Sequence, residues 1–393
     1  MRSCHSPTGV DCEDGVVPAF SFDALRRFPD IEAANLVAVD ATDRLILDLA
    51  ARALVAAPAG TVSVIGDRYG ALTLGVAAQH GATAIRTQQD RLIGERALAA
   101  NAERCDLAGS YTSHGLGAEA LAGARVVLLQ LPTALDALDE VAGVIAAHAD
   151  PDVQVFAGGR IKHMTHGMND VLRRWFGSLT VQPARQKSRA LVAATPRPVD
   201  ERPTPTWPAS ERHEDVGLTV CAHGGVFAGT GIDIGTRFLL QCVDRMPAAA
   251  TTVLDLGCGT GVLAVTLARD RPEAIVTATD ESAAAVASAR ATTAANAVAD
   301  RVTVVRDDGA STVPDASIDL VVLNPPFHVG ATVHSGVARR LFADAARVLR
   351  PGGELWTVWN SHLTYRATLS ALVGPTRQEA RNPTFTVTVS TKP

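Results

Sequence analysis

The residues best equipped for chemistry are the run Asn324-Pro325-Pro326-Phe327-His328, which directly follows the apolar stretch 320–323. An exocyclic amine on an aromatic ring is a poor nucleophile, because its lone pair is delocalised into the ring. Two fixed acceptors that take its N–H protons would aim that lone pair at an electrophile. Asn324 Oδ1 and the Pro325 backbone carbonyl suit the task, since proline fixes φ and offers no N–H donor, so the carbonyls are held rigidly. Phe327 is placed to stack on the planar group, as aromatic side chains do on bases. His328 is either a substrate contact or a packing and capping residue. Catalysis of this kind is orientation plus a pre-set electrostatic environment, with no metal and no covalent intermediate.

The electrophile has its own signature upstream. Asp255-Leu-Gly257-Cys-Gly259-Thr-Gly261 ends one predicted strand and opens a predicted helix. Glycines in such a turn let the backbone approach a ligand without Cβ clashes. The next strand ends at Asp280, where a carboxylate can bind ribose hydroxyls, a logic shared with dinucleotide folds. The G-x-G-x-G spacing and the preceding Asp255 distinguish this loop from the dinucleotide G-x-G-x-x-G. Asp307 and Asp308 follow a third strand; Asp308, beside Gly309, is the choice for an adenine amino group, against a plain solvated loop carboxylate. Together these residues point to S-adenosylmethionine, whose methyl group would lie beside the Asn324 run.

These residues need a scaffold, and the chain's 393 residues suggest two or three domains. Strands are predicted at 252–256, 275–279, 302–306, 320–323, 353–358 and 384–389, and helices at 263–268, 283–296 and 337–349, with a further helix at 366–373 and a terminal antiparallel hairpin. Such alternation argues for an α/β fold with a mostly parallel sheet covered on both faces. The N-terminal side reads alike, with strands near 62–66, 83–87, 126–130, 153–157 and 189–193. The two sides overlay: 61–74 on 252–265, 84–90 on the strand ending at Asp280, 98–106 on 293–300, and 126–134 on 320–328. This is a duplication rather than a solenoid. The first copy has Arg68 in place of Gly259 and Gln130-Leu131-Pro132 in place of Asn324-Pro325-Pro326, so it keeps the fold and loses the cofactor site. Five prolines in 195–209 mark a linker. The expected domains are a degenerate copy at 1–194, the linker 195–209 and a catalytic copy at 210–393, both copies Rossmann-like.

The net charge of -5 excludes a wholly basic nucleic-acid binder. A local basic cluster is present at Arg160, Lys162, Arg173, Arg174, Arg185, Lys187 and Arg189, with Asp170 as its one acidic sequence neighbour. It is either a phosphate-contacting face or an ordinary solvated one. The six cysteines show no metal or disulfide spacing. No apolar run is long enough to span a bilayer, and the N-terminus shows no signal peptide, so a cytoplasmic protein without membrane or metal partners is expected. Separate sites in each chain permit a monomer.

The motifs LGCGTGVL, NPPFH and GVFAGTGIDIGTRFLLQ (225–241) resemble those of the bacterial ribosomal-RNA guanine-N2 methyltransferases, class I enzymes with two tandem domains. The resemblance covers nearly the whole chain, and 162–191 resembles the large-subunit (23S) enzymes more than the small-subunit (16S) ones. It implies methylation of the exocyclic N2 of a guanine in ribosomal RNA. It places the target amine on Asn324, Pro325 and Phe327, and the cofactor on Asp255, Gly257, Gly259, Gly261, Asp280 and Asp308. It also gives an RNA-holding role to the first copy, and puts 231–235 near the pocket mouth with Asp233 or Arg237 as contacts. Adenine-N6 DNA methylation, protein glutamine methylation and a non-enzymatic RNA-binding role stay open as alternatives; the glutamine enzymes usually carry Tyr where this chain has Phe327.

Overall fold

The structure is a computed structural model that describes residues 20–33, 35–326 and 331–393, with the backbone alone for 331–335. Phe327 and His328 therefore lie outside the described residues. The first half forms a seven-stranded sheet from β1 (Val62–Ile65), β2 (Ile85–Gln88), β3 (Tyr111–His114), β4 (Val126–Gln130), β5 (Gln154–Arg160), β6 (Phe176–Val181) and β7 (Ser188–Pro196), in the order β3-β2-β1-β4-β5-β7-β6. A hairpin follows, β8 (Ala209–His213) and β9 (Leu218–Ala222). The second half repeats the sheet with β10 (Thr252–Leu256), β11 (Ile275–Asp280), β12 (Val302–Arg306), β13 (Ile318–Leu323), β14 (Leu349–Asn360), β15 (Thr376–Arg381) and β16 (Phe385–Thr391), in the order β12-β11-β10-β13-β14-β16-β15. In each sheet the first five positions run parallel and the last two form an antiparallel end.

The central strands are apolar along their whole length because both faces are covered. β13 is buried at every position, and so is β1. One face of the second sheet carries Val253, Val276, Leu320 and Trp356, and the other carries Leu254, Val321 and Leu355, in one core with Phe342 of the helix Ala331–Val348. A strand that alternated with polar residues would leave one face wet.

Three local differences from the sequence reading have simple causes. The helix after the proline run is Ala331–Val348, earlier and longer than expected. β14 begins at Leu349, directly after it. The β8–β9 hairpin carries no turn signature strong enough to be read; tertiary bonds hold it instead. Cys221 N–H donates to Thr292 Oγ1 (2.9 Å), and Asn296 takes Thr219 N–H (3.0 Å) and donates to its carbonyl (2.6 Å). The segment 98–106 also does not overlay 293–300. Sheet register and helix starts place Leu92 opposite Ala283, hence Asn101 opposite Thr292. The similar Ala- and Asn-rich runs are displaced by about one helical turn.

The halves dock through the carboxyl ends of β2 and β11. Leu92 N–H donates to the Glu281 carbonyl (2.9 Å) and Ala283 N–H to the Asp90 carbonyl (2.8 Å), with Arg91 and Ser282 bridged between them. Exchanging equivalent residues, Leu92 with Ala283 and Asp90 with Glu281, turns one bond into the other, so the interface has pseudo-twofold symmetry. Ion pairs surround it: Arg91–Glu281 (2.8 Å), Arg306–Glu95 (2.7 Å) and Arg96–Asp308 (3.2 Å). A second contact forms where Glu140 accepts from Gly224 N–H (2.7 Å) and meets His223 Nδ1 (2.6 Å). Gly224 lies so close to the Asp136 carbonyl that a Cβ there would overlap it. Gly224→Ala should therefore cost about 1–3 kcal/mol by overpacking, read as a lower urea midpoint. An unchanged midpoint would show that this docking contact does not form in solution.

Candidate active site

At the carboxyl ends of β10, β11 and β13, a cavity of about 430 Å³ opens between the glycine loop, Asp280, the proline run and the segment 225–236. Its walls include Gly257, Gly259, Asp280, Asp308, Asn324 and Pro325, so the structure gathers these sequence candidates around one space. Asp255 and Gly261 are not on the walls. Asp255 is buried beneath the loop, where its Oδ2 accepts Ala264 N–H (2.9 Å) and caps the helix Val262–Asp270. Burial, against the pull of that N–H and with Asp280 nearby, lifts its carboxyl to about 7. Its role here is to hold the loop rather than to face the cavity.

Asp280 is braced by two backbone donors, Gly259 N–H on Oδ2 and Ser282 N–H on Oδ1, both at 2.9 Å. A carboxylate oxygen has two lone pairs, so each retains capacity for a ligand hydroxyl. Burial raises its carboxyl to about 6, opposed by those two donors. Gly259 has φ +54°, a left-handed backbone that lets it reach Asp280. Arg68, its counterpart, adopts the same conformation at φ +62°. The first copy therefore keeps the loop shape despite the added side chain. What it lacks is the acid, because Gln89 stands where Asp280 stands in the second copy. Tyr69, in the place of Thr260, is buried and donates to Asp30 (2.8 Å), which also pairs with Arg27 (3.1 Å) and Arg91 (3.6 Å). These side chains close the space over the first loop.

Asn324 is fixed on the cavity wall through one end of its amide. Its Nδ2 donates to Asp233 Oδ2 (2.9 Å) and Thr236 Oγ1 (3.0 Å). A carboxylate only accepts, so this contact fixes which way the amide faces. The other end, Oδ1, is buried and has no partner among the described residues. Asp233 is itself fixed as the N-cap of the helix Ile234–Leu240, accepting from Gly235 N–H (2.9 Å) and Thr236 N–H (3.2 Å). Sequence reasoning named Asp233 only as a possible contact and missed Thr236; a capping residue before a helix was the available signal. Arg237, the alternative contact, turns instead toward Asp215 and His213.

Asp307 and Asp308 have separate tasks. Burial acts against the Asp307 charge, but donors from Ser311 and Thr312 hold its carboxyl below the usual range. Asp308 is gripped by Arg340 (2.7 Å) and, from the first half, Arg96 (3.2 Å). Neither arginine was singled out from the sequence, because both pairings depend on tertiary approach.

The basic cluster does not form one face. Arg160, Lys162, Arg185 and Lys187 sit at the carboxyl end of β5, where Arg160 opposes Ser188 on β7. Arg173 and Arg174 lie at the opposite edge of the sheet, before Phe176, which pairs with Pro196. Seven residues of β5 separate the two groups, about 20 Å at ~3.3 Å per residue. Acidic partners are also closer than the sequence suggests. Arg174 pairs with Asp139 (2.6 Å), Arg160 with Asp40 (3.8 Å), and Arg185 with Asp48.

S-adenosylmethionine fits this cavity on its own terms. Six carboxylates line it (Asp90, Asp233, Asp280, Glu281, Asp307 and Asp308) against two arginines, Arg91 and Arg340. That field favours a cation and disfavours the pyrophosphate of a dinucleotide. Asp280 would hold the ribose hydroxyls, and the glycine loop would lie along the cofactor. Among the described residues no cluster of His, Cys, Asp or Glu is suited to a metal, and no helix is long and apolar enough to cross a membrane.

Fold and cavity together define a tandem methyltransferase-fold protein with its cofactor site in the second half. Residues 217–389 match the Methyltransferase small domain and residues 18–198 match the RLMG N-terminal domain. Ribosomal RNA large subunit methyltransferase G of Streptomyces coelicolor is 36% identical over 94% of this chain and 97% of its own. The protein of the same name from Streptomyces avermitilis is 37% identical over 93% and 95%, and that from Pseudomonas aeruginosa 36% over 92% and 96%. The chain belongs to this ribosomal RNA large subunit methyltransferase G family. Its fold is shared with the T. thermophilus 16S rRNA N2 G1207 methyltransferase solved with AdoMet and guanosine, at a TM-score of 0.73 and 23% identity, over 90% of this chain and 92% of that one.

Titration calorimetry should find one S-adenosylmethionine site per chain, lost in Asp280→Ala. Because the Asp280 carboxyl sits near 6, its acceptor form is depleted as pH falls through that value, so affinity should weaken below about pH 6 and level off above 7. Two sites, or pH-independent binding between 5 and 7, would contradict the assignment.

Proposed function

We propose that this protein transfers the methyl group of S-adenosylmethionine to the exocyclic N2 of a guanine in the 23S RNA of the large ribosomal subunit. The observation that carries this reading is Asn324, a residue of the cavity wall: its amide is locked by Asp233 and Thr236, and its buried Oδ1 has no partner among the described residues. An acceptor held in that way suits one N–H of a planar amine. Asp233, drawing on the Nδ2 protons, makes Oδ1 a better acceptor through the shared amide. The Pro325 carbonyl is the proposed second acceptor, and Phe327 the stacking surface. Bound S-adenosylmethionine supplies an electrophilic methyl group on a sulfonium. The protein's part is orientation, worth several powers of ten when the reacting atoms are well aligned. The shared name of the relatives favours the large subunit over the small one.

The first copy is proposed to help hold RNA. Its carboxyl-end group, Arg160, Lys162, Arg185 and Lys187, lies at the same end of the sheet as the β2 contact with the catalytic half, whereas Arg173 and Arg174 lie toward the other end, where Arg174 pairs with Asp139, next to the Glu140 contact.

Asn324→Ala should keep cofactor affinity and lower kcat on deproteinised ribosomal RNA by about 10²-fold or more, the size expected for a misoriented reacting pair. Nucleoside analysis of the product should show N2-methylguanosine in 23S RNA; a methylated adenine, or label in 16S RNA alone, would overturn the substrate assignment. Neutralising Lys162 and Lys187 should flatten the salt dependence of RNA binding by about 0.7–0.9 in log–log slope per lost phosphate contact. Neutralising Arg173 and Arg174 should leave that slope alone, and the reverse pattern would move the RNA to the other edge.

A further inference from the structure

We infer that the first half of the chain is a working part of the cofactor site, with Asp90 as its principal positioning residue and Arg96 in support. This rests on the cofactor reading given above. The helix Ala283–Ala295 starts shortly after Asp280 and contributes Ala285 to the lining of the cavity. The first N–H groups of any helix have no intrahelical partner. Here Ala285 N–H finds the Ser282 hydroxyl (3.1 Å), but the two before it are satisfied by the other half of the chain. Ala283 N–H donates to the Asp90 carbonyl and Ala284 N–H to Asp90 Oδ1, both at 2.8 Å. Asp90 therefore caps, across the interface, the helix whose start fixes Ser282 and, through the Ser282 N–H, Asp280. It also lies on the cavity wall itself.

The same face of the first half also holds Arg306, next to the wall residue Asp307, and Asp308 on the wall itself. Arg306, at the end of β12, donates to the Asp90 carbonyl (2.8 Å) and the Gln89 carbonyl (3.1 Å) and pairs with Glu95. Arg96 holds one oxygen of Asp308 while Arg340 holds the other. The strand end equivalent to the one that carries Asp280 thus serves, in the first copy, as a brace for its sister. Gln89 has no charge to offer a ligand, yet its neighbour Asp90 keeps a carboxylate pointed into the other half.

The test is cofactor binding in the full chain. Asp90→Ala should weaken S-adenosylmethionine binding by roughly fivefold, as for a lost helix N-cap, raising its KM while kcat at saturating cofactor stays near the wild-type value. Asp90→Asn, which keeps an acceptor oxygen for Ala284 N–H, should restore most of the affinity. Arg96→Ala should also raise the cofactor KM, because Asp308 loses one of its two cationic grips while Arg340 keeps the other. Thermal scans and far-UV spectra identify any variant that has not folded; should Asp90→Ala fail there, the Asp90→Asn and Arg96→Ala measurements decide. Wild-type affinity in folded Asp90→Ala or in Arg96→Ala would overturn the inference, as would a loss confined to kcat. Failure of the wild-type protein itself to bind S-adenosylmethionine would instead remove the cofactor reading on which it rests.

Discussion

Two backbone hydrogen bonds, Leu92 N–H to Glu281 and Ala283 N–H to Asp90, tie the halves together at equivalent points. Because they join the carboxyl end of β2 to that of β11, they fix how the two sheets face each other. In open α/β sheets ligands bind beyond the carboxyl ends of the strands, so each half meets the other beside the place where a ligand would sit. In this chain the second half keeps its cavity, and the first presents Asp90, Arg91 and Arg96 to it.

The copies have diverged by exchanging chemistry while retaining mechanical contacts. In the second, Asp255 caps the helix after the glycine loop. In the first, Val64 stands at that position and Asp67 does the capping, accepting Leu72 N–H and Thr73 N–H at 2.7 Å each. The amide at the strand end is retained too: Gln130 donates to Asp43, near the start of the helix that Asp40 caps, as Asn324 donates to Asp233 and Thr236. A half-buried amide bonded to a helix start stiffens the junction of strand and helix in either copy. In the second copy that residue is Asn, followed by two prolines on the wall of the cavity, with its Oδ1 unpartnered among the described residues.

This division explains what could be read from the residues in order. The glycine loop, Asp280 and the Asn324 run announce themselves because each acts within a few residues of a strand end, and strand ends are visible as apolar runs. The parallel order and the duplicated sheets follow from the same runs. The grip of Arg96 and Arg340 on Asp308, the cap from Asp90, and the support of Asn324 by Thr236 were not legible, since each joins positions far apart in the chain. The basic cluster misled for a related reason: adjacency along 160–189 hides that β5 and the helix His166–Trp175 run in opposite directions, carrying Arg173 and Arg174 to the far edge of the sheet. Asp255 misled in the other direction, since an acid beside glycines reads as a ligand contact when its bond to Ala264 N–H is unseen.

The distribution of charge constrains how a polyanion could use such a site. The cavity is lined by six carboxylates and two arginines, both arginines already paired with acids. Phosphate groups would be repelled there, while the sulfonium of the cofactor would be attracted. Under the proposed function, RNA must therefore keep its backbone on the rim and send in only a base, whose uncharged edge can meet Asn324. A base still stacked in a helix cannot reach such an acceptor. Its unstacking has to be sustained by phosphate contacts made elsewhere, and the carboxyl-end cations of the first half lie at the same end of their sheet as the β2 contact with the catalytic half. An acidic pocket with a basic group at that end thus selects for a nucleotide that has already left its helix, and the split of the basic residues between two ends of the sheet leaves one group able to serve that purpose.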